Sequence, residues 1–496
     1  MSVSGTTSMS SGDSPLALGI DLGTGSVKVS TIDVAGDVIG SGSAAYPLHR
    51  SHDGAAETDP REWWQATVTA VRIAVGRDAE RIVGIGLSGQ MHGVVLTDAK
   101  GASLRPAMLW PDGRADAEAE TFRRLSPDLK KSLANPIAPG MAGPLLLWLK
   151  RHEPASYESA AAALQPKDWL RLQLTGIVAA EPSDASATLL YDVAGDDWNW
   201  GVIAALGLRE SLLPTLIPST AQAGRLQRSP AERLGLPEGL PIATGAADTA
   251  AALLGSGVDE PGSAQLSIGS GAQLAAITDR PEPDDALRTQ MYRTAQERGW
   301  YAMAAMHNGG LALERVLEWL NITWDEAYAL VPKSPRGSNG VLFLPYVTGE
   351  RTPYLDPELR ATWLNLSHAT QRADLVRAAL EGVALAIRGG LEALRDTNHG
   401  VTSVVLTGGG TGRVIWRQML SDVLGVDLEA SSELNPSARG AAMLGAGVGG
   451  INLSPDESNR SGSQTVIHDV SAAADYEHII MRFNHAVRTQ QRGHLD

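Results

Sequence analysis

The 496-residue chain contains no cysteine, which removes disulfides, thiolate nucleophiles and cysteine-ligated metals from consideration. It is short of positive charge: 41 Lys and Arg stand against 56 Asp and Glu, a net charge of −15. No run of basic residues offsets this, so neither a nucleic acid nor an anionic membrane is expected as a partner. No apolar run approaches the ~20 residues a membrane-spanning helix needs. The opening "MSVSGTTSMSSGDSP" lacks both a basic segment and an apolar core, so it does not read as a signal peptide. Its small polar residues predict a disordered tail over residues 1–15, and a cytoplasmic location follows as the expectation. The sequence leaves a homodimer open. What the chain does have is 43% hydrophobic residues, enough for several packed domains.

The first apolar segment, "LALGIDLGTGSVKVSTIDVAGDVIG" (residues 16–40), carries an Asp inside a buried-strand pattern and a glycine-rich turn directly after it. "SVKVSTIDV" alternates apolar and polar residues, so the turn joins strand to strand. A dinucleotide-binding loop joins strand to helix and has a third glycine, which argues against that fold here. A helix is predicted after Asp59, with Asp59 as N-cap, Pro60 at N1 and Glu62 closing a capping box. "RIVGIGLSGQMHGVVLTD" reads as strand, bend and strand. The opening pattern returns 246 positions later in "LSIGSGAQLAAITD", which sets Gly269-Ser270-Gly271 on Gly23-Thr24-Gly25. A third glycine turn, Gly408-Gly409-Gly410, sits between a strand and a helix near the C-terminus. Two similar α/β domains facing a central cleft are expected: an N-terminal one over 16–243 and a C-terminal one over 244–470, with a closing helix over 471–496. Pro and Gly cluster at the boundary, and "INLSPDESNRSGSQT" after Gly450 reads as an exposed loop.

A glycine turn between strands aims backbone N–H groups at one point, which suits phosphate. Thr24 and Ser26 add hydroxyls, Gly25 leaves room, and Lys28 adds charge. Asp21 would repel a bare phosphate, a conflict that Mg²⁺ resolves by taking carboxylate, phosphate and water oxygens together. A structural hairpin with a capping Asp explains the same residues. Asp248 follows a strand and opens a helix, where the helix dipole would keep it ionised. It reads either as a base for an attacking hydroxyl or as a helix N-cap. Met91 and His92 lie on the bend in "SGQMHG" and offer an apolar contact and a hydrogen bond. Asp112 and Arg114 read equally well as a turn salt bridge.

In this order, "GIDLGTGSVKV", "GLSGQMHGVVLTD", "PAMLWPDGR", "PKDWLRLQLTG", "GAADTAAALLGSG", "FLPYVTGERTPY" and "LTGGGTGRVIWRQMLSDVLG" resemble the FGGY carbohydrate kinases. The likeness spans residues 16–450 and is greatest to the branch that phosphorylates D-xylulose. It implies two actin-like, ribonuclease-H-like domains and ATP with Mg²⁺ bound between them. It implies a catalytic base at Asp248, a metal-linked acid at Asp21 and a ketopentose at Met91, His92 and Thr249. Nucleotide phosphates would meet Gly269, Ser270 and Gly271, and Gly408, Gly409 and Gly410 would lie by the nucleotide. Three departures stand out. Thr249 replaces the usual Asn after the base, the second turn reads Gly-Ser-Gly-Ala, and Gly25-Ser26 inverts the usual order. D-Ribulose or a pentitol is therefore an alternative substrate. A non-transferring actin-like ATPase switch and a sugar-sensing regulator are the alternatives of other classes; the regulator lacks a DNA-binding segment.

Overall fold

The computed structural model describes residues 14–397, 400–453 and 464–493. The expected tail, apart from Ser14 and Pro15, and most of the expected loop after Gly450 lie outside the described residues. The chain divides into two compact units. One comprises Met1–Gly257, Tyr292–Gly299 and Asn435–Ser461; the other comprises Val258–Met291, Trp300–Leu434 and Gly462–Asp496.

In the first unit the strand Leu16–Leu22 lies antiparallel to Ser26–Ile32 and parallel to Ile82–Gly89. Its even positions, Leu16, Leu18, Ile20 and Leu22, join the main core with Trp63, Val71 and Leu170. Its odd positions are Ala17, Gly19 and Asp21, and Ala17 packs with Ala442 and Ala446. The two-residue period of a strand thus divides a bulky face from a small one. The helix Pro436–Val448 lies on the small face so closely that a Cβ at Gly19 would come within 2.0 Å of the Ala438 carbonyl. The helix Pro60–Val75 covers the bulky face. Asp59 is its N-cap and accepts from Arg61 N, but the expected capping box does not form. Glu62 instead faces His49 at 3.6 Å.

The first unit does not stop near residue 243. The strand Ala246–Ala247 pairs with Ser88 and Gly89, and the helix Asp248–Gly255 crosses Pro436–Val448 where Gly440 meets Ala251. Those contacts keep residues 244–257 in this unit and draw residues 435–453 back into it.

The second unit repeats the arrangement. Ser263–Ile268 is antiparallel to Ala272–Thr278, as the internal echo predicts, and it is also parallel to Ser403–Thr407. The helix Arg372–Arg395 is buried along most of its length, and Val470–Gly493 forms the expected final helix. Among the described residues no helix is long and apolar enough to cross a membrane.

Candidate active site

Asp21 is the next-to-last residue of its strand and projects from the small face, 8% exposed. Ser88, its register partner on the parallel strand, donates its hydroxyl to Asp21 Oδ1 at 2.8 Å. Burial pushes the Asp21 carboxyl above its ordinary range, while the Ser88 bond and the charge of Lys28, its antiparallel partner, oppose that. Beyond Leu22 the chain reverses through Gly23, Thr24 and Gly25, closed by Gly23 N to Ser26 O at 3.1 Å. Neighbours grip this turn. The Tyr46 hydroxyl and Gln90 Nε2 donate to the Gly23 carbonyl, and Trp110 Nε1 donates to Thr24 Oγ1 at 2.9 Å. Tyr46, Gln90 and Trp110 carry no sequence signal for this, because their partners are far away along the chain. Gly25 and Lys28 are exposed.

The same strand edge presents Asp248. Ser88 pairs on one side with Asp21 and on the other with Ala246, so the two acids leave the sheet on either side of one serine. Asp248 is the first residue of its helix and Ala247 is the N-cap, so the alternative reading of Asp248 as N-cap is not what the backbone adopts. Its Oδ1 accepts from Thr249 N at 2.7 Å and from the Thr249 hydroxyl at 3.3 Å. The helix start was expected to hold this carboxylate ionised. Burial, and then the negative charge of Asp21, overrule the dipole and push the Asp248 carboxyl up to about 7, with only the two Thr249 bonds opposing.

Met91 and His92 follow the end of the Ile82–Gly89 strand. His92 has φ 72, a left-handed conformation that bends the chain sharply. Its N–H donates to Gln165 Oε1 at 3.0 Å. Its Nδ1 lies 2.7 Å from the Ala187 carbonyl. A carbonyl only accepts, so Nδ1 carries a proton. The ring lies 6.3 Å from that of Tyr292, and Met91 is buried. Asp112 and Arg114 form a structural pair rather than a surface one: buried Asp112 takes Ala56 N at 3.0 Å and Arg114 Nη2 at 2.6 Å.

In the second unit, Ser267 and Thr407 are register partners, so Gly269–Gly271 and Gly408–Gly410 leave adjacent strands side by side. Gly269, Ser270 and all three glycines of the second turn are exposed. Gly408 has φ 96, and a Cβ there would lie 2.4 Å from the Ile268 carbonyl. The start of the helix Gly310–Leu320 folds onto the first turn: Gly309 N and Leu311 N donate to Ser270 O, and Gly310 N to Gly269 O. Buried Glu350 holds that start by accepting from His307 N at 2.6 Å and Asn308 Nδ2 at 3.1 Å. Sequence reading missed Asn308, Gly309 and Gly310, whose signal was a glycine pair opening an amphipathic helix. It also missed Glu350, which lies in a quoted motif without a role.

Among the described residues no group of three or more His, Cys, Asp and Glu side chains is placed to hold a metal. Mg²⁺ keeps waters and phosphate oxygens and asks for only one or two carboxylates. Asp21, with a second acid whose carboxyl its charge raises, fits that donor set.

Comparison with known proteins agrees with this fold. Residues 16–255 match the N-terminal domain, and residues 264–447 the C-terminal domain, of the FGGY family of carbohydrate kinases. The chain is 34% identical over 433 residues to a xylulose kinase of Klebsiella pneumoniae, covering 86% of this chain and 89% of that one. It is 33% identical over 434 residues to a xylulose kinase of Escherichia coli (strain K12), with the same two coverages. The solved structure of a xyloylose kinase from Brucella ovis superposes with a TM-score of 0.91 at 32% identity, covering 97% of this chain and 100% of that one. Two domains of the actin-like, ribonuclease-H-like kind, both family models and these relatives together establish that the chain belongs to the FGGY family of carbohydrate kinases and is an ATP-dependent sugar kinase.

Proposed function

We propose that this kinase phosphorylates a ketopentose, converting D-xylulose to D-xylulose 5-phosphate, with Asp248 as general base. The observation that carries the reading is the carboxyl of Asp248, raised to about 7 at the start of a helix whose preceding strand, Ala246–Ala247, pairs with the strand of Ser88, the register partner of Asp21. A base poised near the working pH is what proton abstraction from an alcohol asks for. The sugar hydroxyl gives its proton to Asp248 as its oxygen bonds the γ-phosphorus. The bond from phosphorus to the β,γ-bridging oxygen breaks, and ADP leaves. Asp21 would hold Mg²⁺, which when bound neutralises charge on the phosphate oxygens.

In this reading Thr24, Gly25, Ser26 and Lys28 serve the phosphates from the first unit. Gly269, Ser270, Gly271, Gly408, Gly409 and Gly410 serve the nucleotide from the second. Met91 packs on the sugar carbons, and His92 hydrogen-bonds a sugar hydroxyl. The names of the relatives above support D-xylulose. Thr249 favours D-ribulose or a pentitol as a second reading, because its short hydroxyl turns to Asp248 where family members carry a longer amide. The cytoplasm, with its ATP, is the location we propose.

The test is ADP release with D-xylulose, D-ribulose and xylitol in turn, for the wild type and Asp248→Ala. D-Xylulose is expected to give the highest kcat/KM, and the variant to lose at least about a thousandfold in kcat while still binding ATP. Activity on none of the three, or an active variant, overturns the reading. A different best substrate selects the second one.

A further inference from the structure

The motif "PKDWLRLQLTG" supplies three of the five ionisable side chains that cluster inside the first unit, and Glu181 and Asp184 supply the others. Lys167 Nζ lies 2.8 Å from Asp168 Oδ1, 3.0 Å from Glu181 Oε1 and 3.0 Å from Asp184 Oδ2. Arg171 Nη1 lies 2.8 Å from Asp168 Oδ1. All five residues are at most 1% exposed. Burying three acids and two bases is costly, and apolar residues of similar volume would serve stability as well or better. The cluster therefore calls for a reason other than stability, and its outward bonds supply one.

Glu181 caps the short helix Pro182–Ala185, accepting from Ser183 N at 2.6 Å and Asp184 N at 3.0 Å. Ser183 Oγ in turn accepts the backbone N–H of Ala247 at 2.9 Å. Arg171 Nη1 donates to the Thr244 carbonyl at 2.7 Å. The cluster thus holds the segment 244–247 at both ends, immediately before Asp248. From the other side, the Ser437 hydroxyl donates to the Asp248 carbonyl at 3.1 Å. Gln165, the N-cap of the helix Pro166–Thr175 that carries Lys167, Asp168 and Arg171, takes the His92 N–H at 3.0 Å and donates to the Asp184 carbonyl at 2.7 Å. One buried assembly therefore contacts the backbone just before the acid and that of the bend which the sugar reading uses.

We propose that Lys167, Glu181 and Ser183 are positioning residues for the phosphoryl-transfer reaction: a hydrogen-bonded chain that fixes the backbone of Ala247 and so aims the Asp248 carboxylate at the sugar hydroxyl. This rests on the assignment of Asp248 as base. A displacement of about 1 Å at a reacting group costs on the order of a hundredfold in rate, so a single lost hydrogen bond at Ala247 N reaches turnover even where the fold survives.

The test compares Ser183→Ala, Glu181→Asp and Asp248→Ala with the wild type, counting sites by ADP-binding stoichiometry and measuring kcat per site and KM for ATP and sugar. A merely structural role lowers the number of sites and leaves kcat per site unchanged. The expected result is a 10- to 100-fold fall in kcat per site for Ser183→Ala, with KM for ATP within twofold. Glu181→Asp, which keeps the charge, is expected to fall in the same way and serves if Ser183→Ala does not fold. If Asp248→Ala is inactive and the folded variants keep wild-type kcat per site, the positioning role is overturned while the base assignment stands. If neither variant folds, the cluster is a folding element and the proposal is overturned. If Asp248→Ala is active, the base assignment itself falls.

Discussion

Ser88 donates its hydroxyl to Asp21 at 2.8 Å, and it is this serine's strand that separates Asp21 from Asp248. The bond satisfies one oxygen of a carboxylate that burial disfavours, and it fixes the direction of the other. A preset acid of this kind suits a cation that must meet phosphate oxygens in one geometry. Asp21→Asn keeps the shape and removes the charge. We expect the Mg²⁺ concentration for half-maximal rate to rise at least about tenfold and kcat to fall by about a hundredfold, read from a Mg²⁺ titration of the rate. An unchanged Mg²⁺ requirement would remove Asp21 from the metal site.

The raised Asp248 carboxyl makes two pH predictions with opposite uses. As a base it must be ionised, so kcat/KM for the sugar should fall tenfold per unit below about pH 7 and level off above it. As a buried acid it holds a proton in the folded chain between pH 3.8 and about 7, where the unfolded chain has already released one. The folded state binds more protons there, so stability declines as pH rises through that window, by up to about 4 kcal/mol, and is level above it. Asp248→Asn removes this slope. Calorimetry without nucleotide should show the variant's melting temperature rising relative to the wild type between pH 4.5 and 7.5. A constant difference would mean that Asp248 titrates as an ordinary surface acid.

Much of this was legible along the chain because it is local. An Asp inside an apolar strand, a glycine turn after it and the same pattern 246 residues on are enough to place Asp21 on its strand and both glycine turns between antiparallel strands. Asp248 stood out as an acid between a small-residue strand and a helix. What the sequence hid is long-range. The helix Pro436–Val448 follows the second unit's last central strands, yet it packs on Gly19 and Gly86, so the domain boundary drawn near residue 243 missed the return of the chain. Tyr46, Gln90 and Trp110 hold the first turn from three separate segments, and no spacing rule joins them to Gly23 or Thr24. The ionisation of Asp248 departs from expectation for the same reason: the dipole is local, but the burial that mainly raises this carboxyl, and the charge of Asp21 that adds to it from 227 positions away, belong to the tertiary structure.

Glu350 offers a test of the second unit alone. Its oxygens accept from His307 N, Asn308 Nδ2 and Arg351 N, and the segment they hold closes the Gly269–Ser270 turn. Glu350→Ala removes the acceptor of all three; Asn308 Nδ2 keeps the Gly349 carbonyl, so the loss is that of ordinary hydrogen bonds, about 0.5–1.5 kcal/mol each. The turn should loosen before the sheet does. We expect KM for ATP to rise about tenfold with KM for the sugar unchanged in steady-state kinetics; a rise in the sugar KM alone would contradict the assignment of this turn to the nucleotide.

The glycines separate into two kinds, and the separation predicts two opposite phenotypes. Gly86 lies under the helix Pro436–Val448, and a methyl there would come 1.8 Å from the Ala441 carbonyl and 2.7 Å from Gly445 N. Both are backbone atoms, so the helix itself must move. Overpacking of this kind costs about 1–3 kcal/mol or more, and Gly86→Ala should lower the melting temperature by several degrees. Because that helix carries Ser437, which donates to the Asp248 carbonyl, turnover should fall as well. Gly409 is the contrary case. It is exposed, its added Cβ would meet nothing within 4 Å, and its φ lies outside the left-handed region. Gly409→Ala should leave the melting temperature within about a degree, since an uncrowded surface change is worth less than about 0.5 kcal/mol. If the turn receives the nucleotide, the same methyl occupies the space that the ligand needs, and KM for ATP should rise several-fold. A Gly409→Ala enzyme with unaltered ATP kinetics would show that the turn is structural, and the nucleotide would then have to be sought elsewhere in the second unit.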